Sequence, residues 1–170
     1  MKMPEIISSD SLFSLGPQLA ARAVAAPTSV AWGLGSRAMY IPFTVTESIT
    51  VVKLWALNGA TVSGNIDMGV YNTAAVLQIA ATEATQTGIN ALQEFNVPDT
   101  VLAAGIYYLG IVLDNTTGTF LMYAAPTTAS MKSLGLYLQA AAYPLPSPAT
   151  FATATAAAIP VCGMSTRVTI

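Results

Sequence analysis

Short runs of β-branched and aromatic residues, each closed by a turn signal, constrain the fold of this chain more than any other feature. From residue 37 to residue 170 there are eight or nine such runs, with turn residues every 8–12 positions. Regularly spaced short strands of this kind are typical of β-sandwiches and β-barrels. Neither an alternation of strands with helices nor an internal repeat interrupts the pattern. The sequence therefore predicts an all-β, antiparallel domain over residues 37–170.

Several stretches allow this prediction to be made in detail. Ile106 to Leu113 is apolar on both faces, which predicts a central strand buried on both sides. Asn58-Gly59 is typical of a two-residue hairpin turn, and residues 98–100 predict another turn. Alternation places the carboxylates of Asp67 and Glu94 on outward, solvated faces. Alternation in the segment 48–57 assigns four side chains to one face of a strand: Ile49, Val51, Lys53 and Trp55.

Two segments depart from the strand pattern. Residues 1–36 are predicted to form an N-terminal arm, in which Pro17 and Pro27 bracket an Ala-rich stretch, residues 18–26, that favours a short helix. The arm either packs locally as a cap or lies on a neighbouring subunit. Residues 140–158 are rich in Pro, Ala and Thr, and alternating prolines favour an extended path. We interpret them as a long surface loop, with a contact between subunits as the alternative.

A near absence of charge limits the functions open to the chain. Charged residues make up 8% of the sequence, against about 25% in ordinary soluble domains, and hydrophobic residues make up 54%. Intrinsic disorder needs the reverse composition. The six basic residues are scattered, whereas nucleic-acid binding needs them clustered. Neither a membrane helix nor a secretory signal is expected, because the apolar runs are too short. Since soluble proteins usually keep charge on their surface, we expect partners to cover much of this one.

The sequence offers few of the residue types that enzymes use for catalysis. The sequence contains no histidine, which removes the commonest general base and makes a Ser-His-Asp or Cys-His arrangement impossible. The single cysteine, Cys162, lies among apolar residues and is interpreted as a plain buried thiol. Paired carboxylates of a glycosidase remain an option among the eight acids, but no local pattern asks for them. We therefore expect no enzymatic activity, no catalytic residue and no cofactor.

Calcium is the one metal for which the sequence supplies candidate ligands. Asn65 with Asp67, and Asp114 with Asn115, supply hard oxygen ligands in or near turns. Such residues in turns more often bond their own backbone, so no metal site is predicted.

Carbohydrate binding would use exposed aromatic rings, which cover the apolar face of a sugar. Trp55 lies in a hydrophobic strand and is interpreted as a core residue. Trp32 is interpreted as a core plug or an interface anchor. Tyr143, beside the proline run, is the candidate glycan contact.

The stretch from residue 62 to residue 113 resembles a known family. The residues that carry the resemblance are Gly69-Val70-Tyr71-Asn72, Val76-Leu77, Phe95-Asn96-Val97 and Leu102-Ala103-Ala104-Gly105-Ile106-Tyr107-Tyr108-Leu109. Their order is similar to the jelly-roll modules of tailed-bacteriophage structural proteins, which include head decoration (cement), head-fibre and tail-associated proteins. The resemblance implies an antiparallel jelly-roll β-sandwich of about eight strands, a virion structural role and no catalytic residue. Tyr107 and Tyr108 would point to opposite faces of their strand, one into the core and one over an outer face.

The main hypothesis is therefore a non-enzymatic capsid decoration (cement) protein of a tailed phage, homotrimeric and bound to the outside of the particle. Its partners would be copies of itself and the major capsid protein, with no nucleic acid and no membrane. It would be made in the cytoplasm of the host bacterium and reside in the virion. The residues assigned to the assembly interface are Ile6, Ile7, Leu12, Phe13, Leu15 and Trp32. The alternative is a carbohydrate-binding β-sandwich module of a phage tail or fibre, with Tyr143 as its contact.

Overall fold

The computed structural model of the chain describes residues 5–8, 26–33, 35–124, 127–153 and 158–168. Strands dominate these residues, and the helix among them, α1, is short. The strands are β1 (Glu5–Ser8), β2 (Thr28–Ala31), β3 (Ala38–Val45), β4 (Ile49–Leu57), β5 (Asn65–Asn72), β6 (Leu77–Ala80), β7 (Ala84–Thr85), β8 (Leu92–Leu102), β9 (Gly105–Leu113), β10 (Thr119–Ala124), β11 (Tyr137–Gln139), β12 (Ala152–Thr153), β13 (Ala158–Pro160) and β14 (Cys162–Val168). The helix α1 spans Thr128–Ser133.

Hydrogen bonds group these strands into three sheets, and the pairings between the described strands are antiparallel. Sheet I has the order β1-β14-β4-β8, sheet II the order β12-β11-β3-β9-β5-β6, and sheet III the order β13-β10-β2. The short β7 also pairs with β5. The described chain is therefore all-β, as its sequence predicts. It has more strands than the eight or nine predicted, since several, such as β7 and β12, are only two residues long.

Sheets I and II face each other across one apolar core, which gives the chain a sandwich-like arrangement. Leu54 and Met164 from sheet I and Met68 and Ile111 from sheet II are fully buried in it. Burying one such side chain stabilises the fold by about 1.5–3 kcal/mol. β9 lies between β3 and β5 and is buried over residues 109–113. The prediction of a central strand covered on both faces is thereby confirmed for residues 109–113, whereas Ile106, at the start of the predicted run, is 53% exposed.

Adjacent tyrosines of β9 point to opposite faces, as predicted. Tyr107 packs against the inter-sheet core and stacks on Phe43, with ring centroids 5.8 Å apart. Tyr108 packs on the outer face of sheet II, 4.7 Å from the ring of Phe151. One strand therefore contributes an aromatic ring to each of two apolar layers.

An irregularity in β4 overturns part of the predicted side-chain assignment. The core-facing residues of β4 are Ile49, Val51, Leu54 and Ala56. Strict alternation places Lys53 and Trp55 beside Ile49, and this assignment is wrong because the register with β8 shifts between Val51 and Lys53. A bulge turns the later side chains to the other face. Pro98, predicted to lie in a turn, sits opposite the shift inside β8, a position that tolerates its missing N–H.

The predicted hairpin at Asn58-Gly59 is also wrong. β4 belongs to sheet I and β5 to sheet II, so the chain crosses between sheets here instead of turning back. Asn58 forms an isolated bridge with Phe120, and the Gly59 N–H donates to Thr119 O at 2.9 Å. A Cβ on Gly59 would collide with the hydroxyl oxygens of Ser29 and Thr119. A close approach between two chain segments, rather than a tight turn, explains the glycine.

Two strands lie among the described residues of the first 36, where none is predicted. β1 pairs with β14, and β2 pairs with β10. Both are edge strands of only four residues, too short for alternation to reveal. The predicted helix at 18–26 lies outside the described residues. The helix α1 interrupts the series of strands predicted over residues 37–170, and among the described residues no helix has the length and apolar character needed to span a membrane.

Candidate functional site

The outer face of sheet II, which points away from the core, is built around two glycines. Gly69 of β5 and Gly110 of β9 lie directly opposite each other. A Cβ on Gly110 would lie 3.0 Å from the ring of Tyr71 and 3.2 Å from that of Tyr40. The absent side chains leave a trough, and the two tyrosine rings pack there edge to face at 5.2 Å. Both rings are fully buried although they lie outside the inter-sheet core.

Residues 141–151, which we name the strap, cover this face. Their buried side chains are Ala142, Leu145 and Ala149. The hydrogen bonds that fasten the strap include Ala142 N–H to Ser36 O (2.7 Å), Leu145 N–H to Asp67 Oδ2 (2.8 Å), Tyr71 Oη–H to Pro146 O (2.8 Å) and Ala149 N–H to Ala75 O (2.8 Å). Residues 140–158 were predicted to form a surface loop. Over the strap, they instead form a third layer that packs on the outer face of sheet II.

Phe151, at the end of the strap, is the centre of an aromatic cluster. Its ring lies 4.7 Å from Tyr108, 4.9 Å from Tyr40 and 5.1 Å from Tyr137, on which it stacks. Such pairs contribute about 0.5–1.5 kcal/mol each beyond their buried area. Tyr40 also donates its hydroxyl to Gln139 at 2.9 Å, and burial raises the pKa of Tyr40 to about 12. The cluster fastens this end of the strap with a phenol that stays neutral at physiological pH.

Asp67 is buried beneath the strap, so its predicted place on a solvated face is wrong. It points outward from sheet II as alternation requires, but it is only 8% exposed because the strap covers that face. The Leu145 N–H donates to its carboxylate at 2.8 Å. Burial raises the pKa of the Asp67 carboxyl group above the usual value, and the hydrogen bond from Leu145 opposes that rise. By contrast Glu94 is exposed, as predicted, and pairs with Lys53 at 2.8 Å.

The aromatic residues singled out for binding lie mostly inside the protein. Trp32 is 2% exposed and packs edge-on against Phe120 at 5.4 Å, which favours a core plug over an interface anchor. Trp55 is 4% exposed and so is buried, as expected of a core residue, but the shift in β4 turns it away from the inter-sheet core. Tyr143 is half-buried in the strap, and its hydroxyl donates to the exposed carboxylate of Glu83 at 2.7 Å. Of these rings, only that of Tyr143 is open to a ligand.

The other residues assigned to the assembly interface belong to the N-terminal arm. Ile6 and Ile7 lie in β1, at the edge of sheet I. Leu12, Phe13 and Leu15 lie outside the described residues. Their role in assembly stays a prediction.

The oxygen ligands considered for calcium are engaged with one another. Asp114 accepts hydrogen bonds from the amides of Asn65 at 3.2 Å and Asn115 at 2.8 Å. Asp67 lies apart from them, bonded to the strap. Within the described ranges, no group of three or more Cys, Asp or Glu side chains is arranged to hold a metal ion.

Cys162 lies fully buried in the inter-sheet core, which confirms its interpretation as a plain buried thiol. Burial raises the pKa of this thiol to about 12. Because the thiolate is the nucleophilic form, Cys162 is unreactive at physiological pH.

A group of buried amides joins the chain segments at the end of β4. The fully buried Asn58 donates through Nδ2 to Thr87 O at 2.6 Å and to Gln93 Oε1 at 2.9 Å. Its Oδ1 accepts from Gln86 Nε2 at 3.0 Å, and the same nitrogen donates to Thr119 O at 2.8 Å. The cluster ties sheets I and III together. None of its groups titrates, so it offers no acid or base.

The turn between β8 and β9 forms an apolar end of the sandwich. Val101 and Ile106 are 62% and 53% exposed, and residues 103–104 between them are exposed alanines. Ile89 and Leu92, at the opposite end of β8, are 62% and 48% exposed. This surface is not predicted from the sequence, because an unbroken apolar run is typical of a buried strand. The one available signal is the Ala-Ala-Gly step at 103–105, which allows a tight turn inside the run.

Comparison with known proteins finds no matching family model, no significantly similar curated protein and no significantly similar solved structure. The function is therefore inferred from the chemistry of the described surfaces together with the sequence.

Proposed function

We propose that the protein is a non-enzymatic structural component of a tailed-phage virion, a jelly-roll sandwich that assembles as a homotrimer and decorates the capsid. The observation that carries this proposal is the apolar end around Val101 and Ile106, on a chain with only 8% charged residues. Clustered exposed apolar side chains mark interaction surfaces on soluble proteins. A second copy of the chain, with the same apolar end, is the occupant that best matches such a surface.

The shape of the apolar end favours several copies meeting at one axis. It is the tip of a tight crossing from sheet I to sheet II, and one tip is too small to bury another completely. Three tips around a three-fold axis would enclose a common apolar centre, which is one of the closed arrangements that point-group symmetry allows. Each Å² of apolar surface buried there stabilises the trimer by roughly 25 cal/mol before the cost of association is subtracted. The stabilised ring of subunits would then bind at junctions of the capsid lattice.

Charge at the apolar end should therefore dissociate the assembly. We expect the double substitution Val101→Lys and Ile106→Lys to weaken subunit association at least about tenfold, because two buried aliphatic contacts are lost and six ammonium groups meet at the axis of a trimer. Light scattering across a dilution series measures the change as a fall in mass. Binding to particles that lack the protein, measured by co-sedimentation, should fall with it.

The opposite end of the same strand supplies a matched control. Ile89→Lys with Leu92→Lys adds the same charge at side chains of similar exposure, about 30 Å away along β8. This variant should keep the mass of the unmodified protein. A monomeric unmodified protein at high concentration would contradict the proposal.

Carbohydrate binding is the second candidate function, and the position of Tyr143 favours it. Its half-buried ring lies at the surface beside the exposed carboxylate of Glu83, and a ring next to a carboxylate suits a sugar with one apolar face and several hydroxyls. On a glycan array we expect any specific signal to disappear with Tyr143→Ala and to weaken with Glu83→Gln. Trp32→Ala should not remove binding selectively, because that ring is buried. An array without signal for the unmodified protein would exclude this function for the glycans displayed.

A further inference from the structure

We propose that the strap is a pH-dependent cover of sheet II, held most firmly when the Asp67 carboxyl group carries its proton and loosened when that group ionises. The proposal concerns a conformational device of this chain and stands apart from its role in a virion. It starts from the position of one carboxyl group, which lies under the strap and is bonded to the strap backbone.

The geometry makes Asp67 the group whose ionisation affects the closure of the strap. It is 8% exposed, and Leu145, the strap residue whose N–H bonds it, is itself buried. A carboxyl oxygen accepts this bond in both protonation states, and more strongly when it is ionised, so the bond opposes the effect of burial on the pKa of Asp67 without cancelling it. A negative charge at the same place has lost most of its water, and the backbone N–H groups of Leu145 and Met68 do not replace that hydration.

The groups that face Asp67 do not compensate the charge. Glu83, in the link between β6 and β7, adds a second carboxylate, and Tyr143 reaches it from the strap. Tyr71 on β5 and Tyr40 on β3 are phenols. These titratable neighbours are acids or phenols and none of them is a cation. Ionisation of Asp67 therefore adds a buried charge next to another of the same sign.

The direction of the pH dependence follows. Burial raises the pKa of Asp67 while the strap is closed, and opening the strap returns the group to water, with a pKa of about 3.9. Closure is therefore favoured by protonation. The advantage is complete below about pH 3.9 and is lost as the pH rises through the raised value. The nearby phenols stay neutral over this range, because burial raises the pKa values of Tyr40 and Tyr71 as well.

Opening would uncover a specific surface. Beneath the strap lie the rings of Tyr40 and Tyr71 and the trough over Gly69 and Gly110. Rising pH would therefore expose an aromatic face that is buried in the closed structure.

Amide hydrogen exchange measured by NMR tests the proposal. The protection factor, which removes the intrinsic pH dependence of exchange, is followed at pH 4 and pH 8 for Leu145 and Ala149 in the strap and for Ile111 in β9. Strap protection should fall relative to Ile111, by about tenfold for each unit by which the closed-state pKa exceeds the open one. Asp67→Asn, which retains an oxygen that can accept the Leu145 bond, should remove the pH dependence.

Glu94→Gln makes the same chemical change at an exposed carboxylate of sheet I, and this variant should behave like the unmodified protein. Equal strap protection at both pH values, or a pH dependence that survives Asp67→Asn, would overturn the proposal. If Asp67→Asn does not fold, the carboxyl carbon of Asp67 is titrated by NMR in the unmodified protein. A pKa at or below about 3.9 would then reject the idea, and a raised pKa would support it.

Discussion

Replacing Asn58 with alanine is expected to destabilise the protein by about 1–3 kcal/mol, the usual cost of leaving a buried polar group unpaired. The side chain is fully buried and bonds Thr87 O, Gln93 Oε1 and Gln86 Nε2. Truncation removes all these bonds at once and leaves Thr87 O without its side-chain donor. Urea unfolding at pH 7 measures the change as a lower midpoint with an unchanged slope.

An exposed asparagine on the neighbouring strand β8 serves as the control for this prediction. Asn96→Ala removes the same amide from the surface, and surface changes of this kind usually stay within about 0.5 kcal/mol. A loss below about 1 kcal/mol for Asn58→Ala would mean that water enters the site and replaces the amide.

Phe120→Ala should cost about 3–5 kcal/mol, the usual range for removing a buried aromatic ring. Phe120 is fully buried, belongs to the inter-sheet core and packs edge-on against Trp32 at 5.4 Å. The cavity would leave Trp32 without its ring partner at the junction of sheets I and III. In a Trp55→Phe background, Trp32 is the one remaining tryptophan, so a red shift of its emission reports entry of water at this site.

The adjacent residue of β10 provides the comparison. Leu121 is only partly buried, and Leu121→Ala should lose less stability and leave the Trp32 emission unchanged. Equal losses in the two variants would show that β10 is destabilised as a whole and that Trp32 is not a core plug.

The sequence predicted correctly those features that depend on local pattern. The doubly apolar run in β9 marked a central strand, and strict alternation separated Tyr107 from Tyr108. The same rule failed in β4, because a bulge shifts the alternation of side chains between the two faces, and no residue type in the sequence marks the position of the bulge. The hairpin turn predicted at Asn58-Gly59 was wrong for a related reason. A glycine needed for close approach to β10 is indistinguishable in sequence from a glycine needed for a tight turn.

The surfaces that carry the proposals were harder to predict, because they depend on what lies above a residue. Alternation correctly turned Asp67 outward, but the strap that buries it is 78 positions away in sequence. Val101 and Ile106 look like core residues in the sequence and are exposed because they flank the turn where the chain crosses from sheet I to sheet II. Alternation gives the direction of a side chain, whereas burial is decided by distant segments.

The position of β14 has a consequence for how the chain is made. This late strand lies in the interior of sheet I, between β1 and β4. While the ribosome is still synthesising residues 162–168, β1 has no partner in the sheet and β4 has an open edge. Domains fold largely as units and nascent chains grow at about 5–20 residues per second. Sheet I therefore cannot close before residues 162–168 have been synthesised, and until then the nascent chain presents an unpaired edge along which it can pair with another chain.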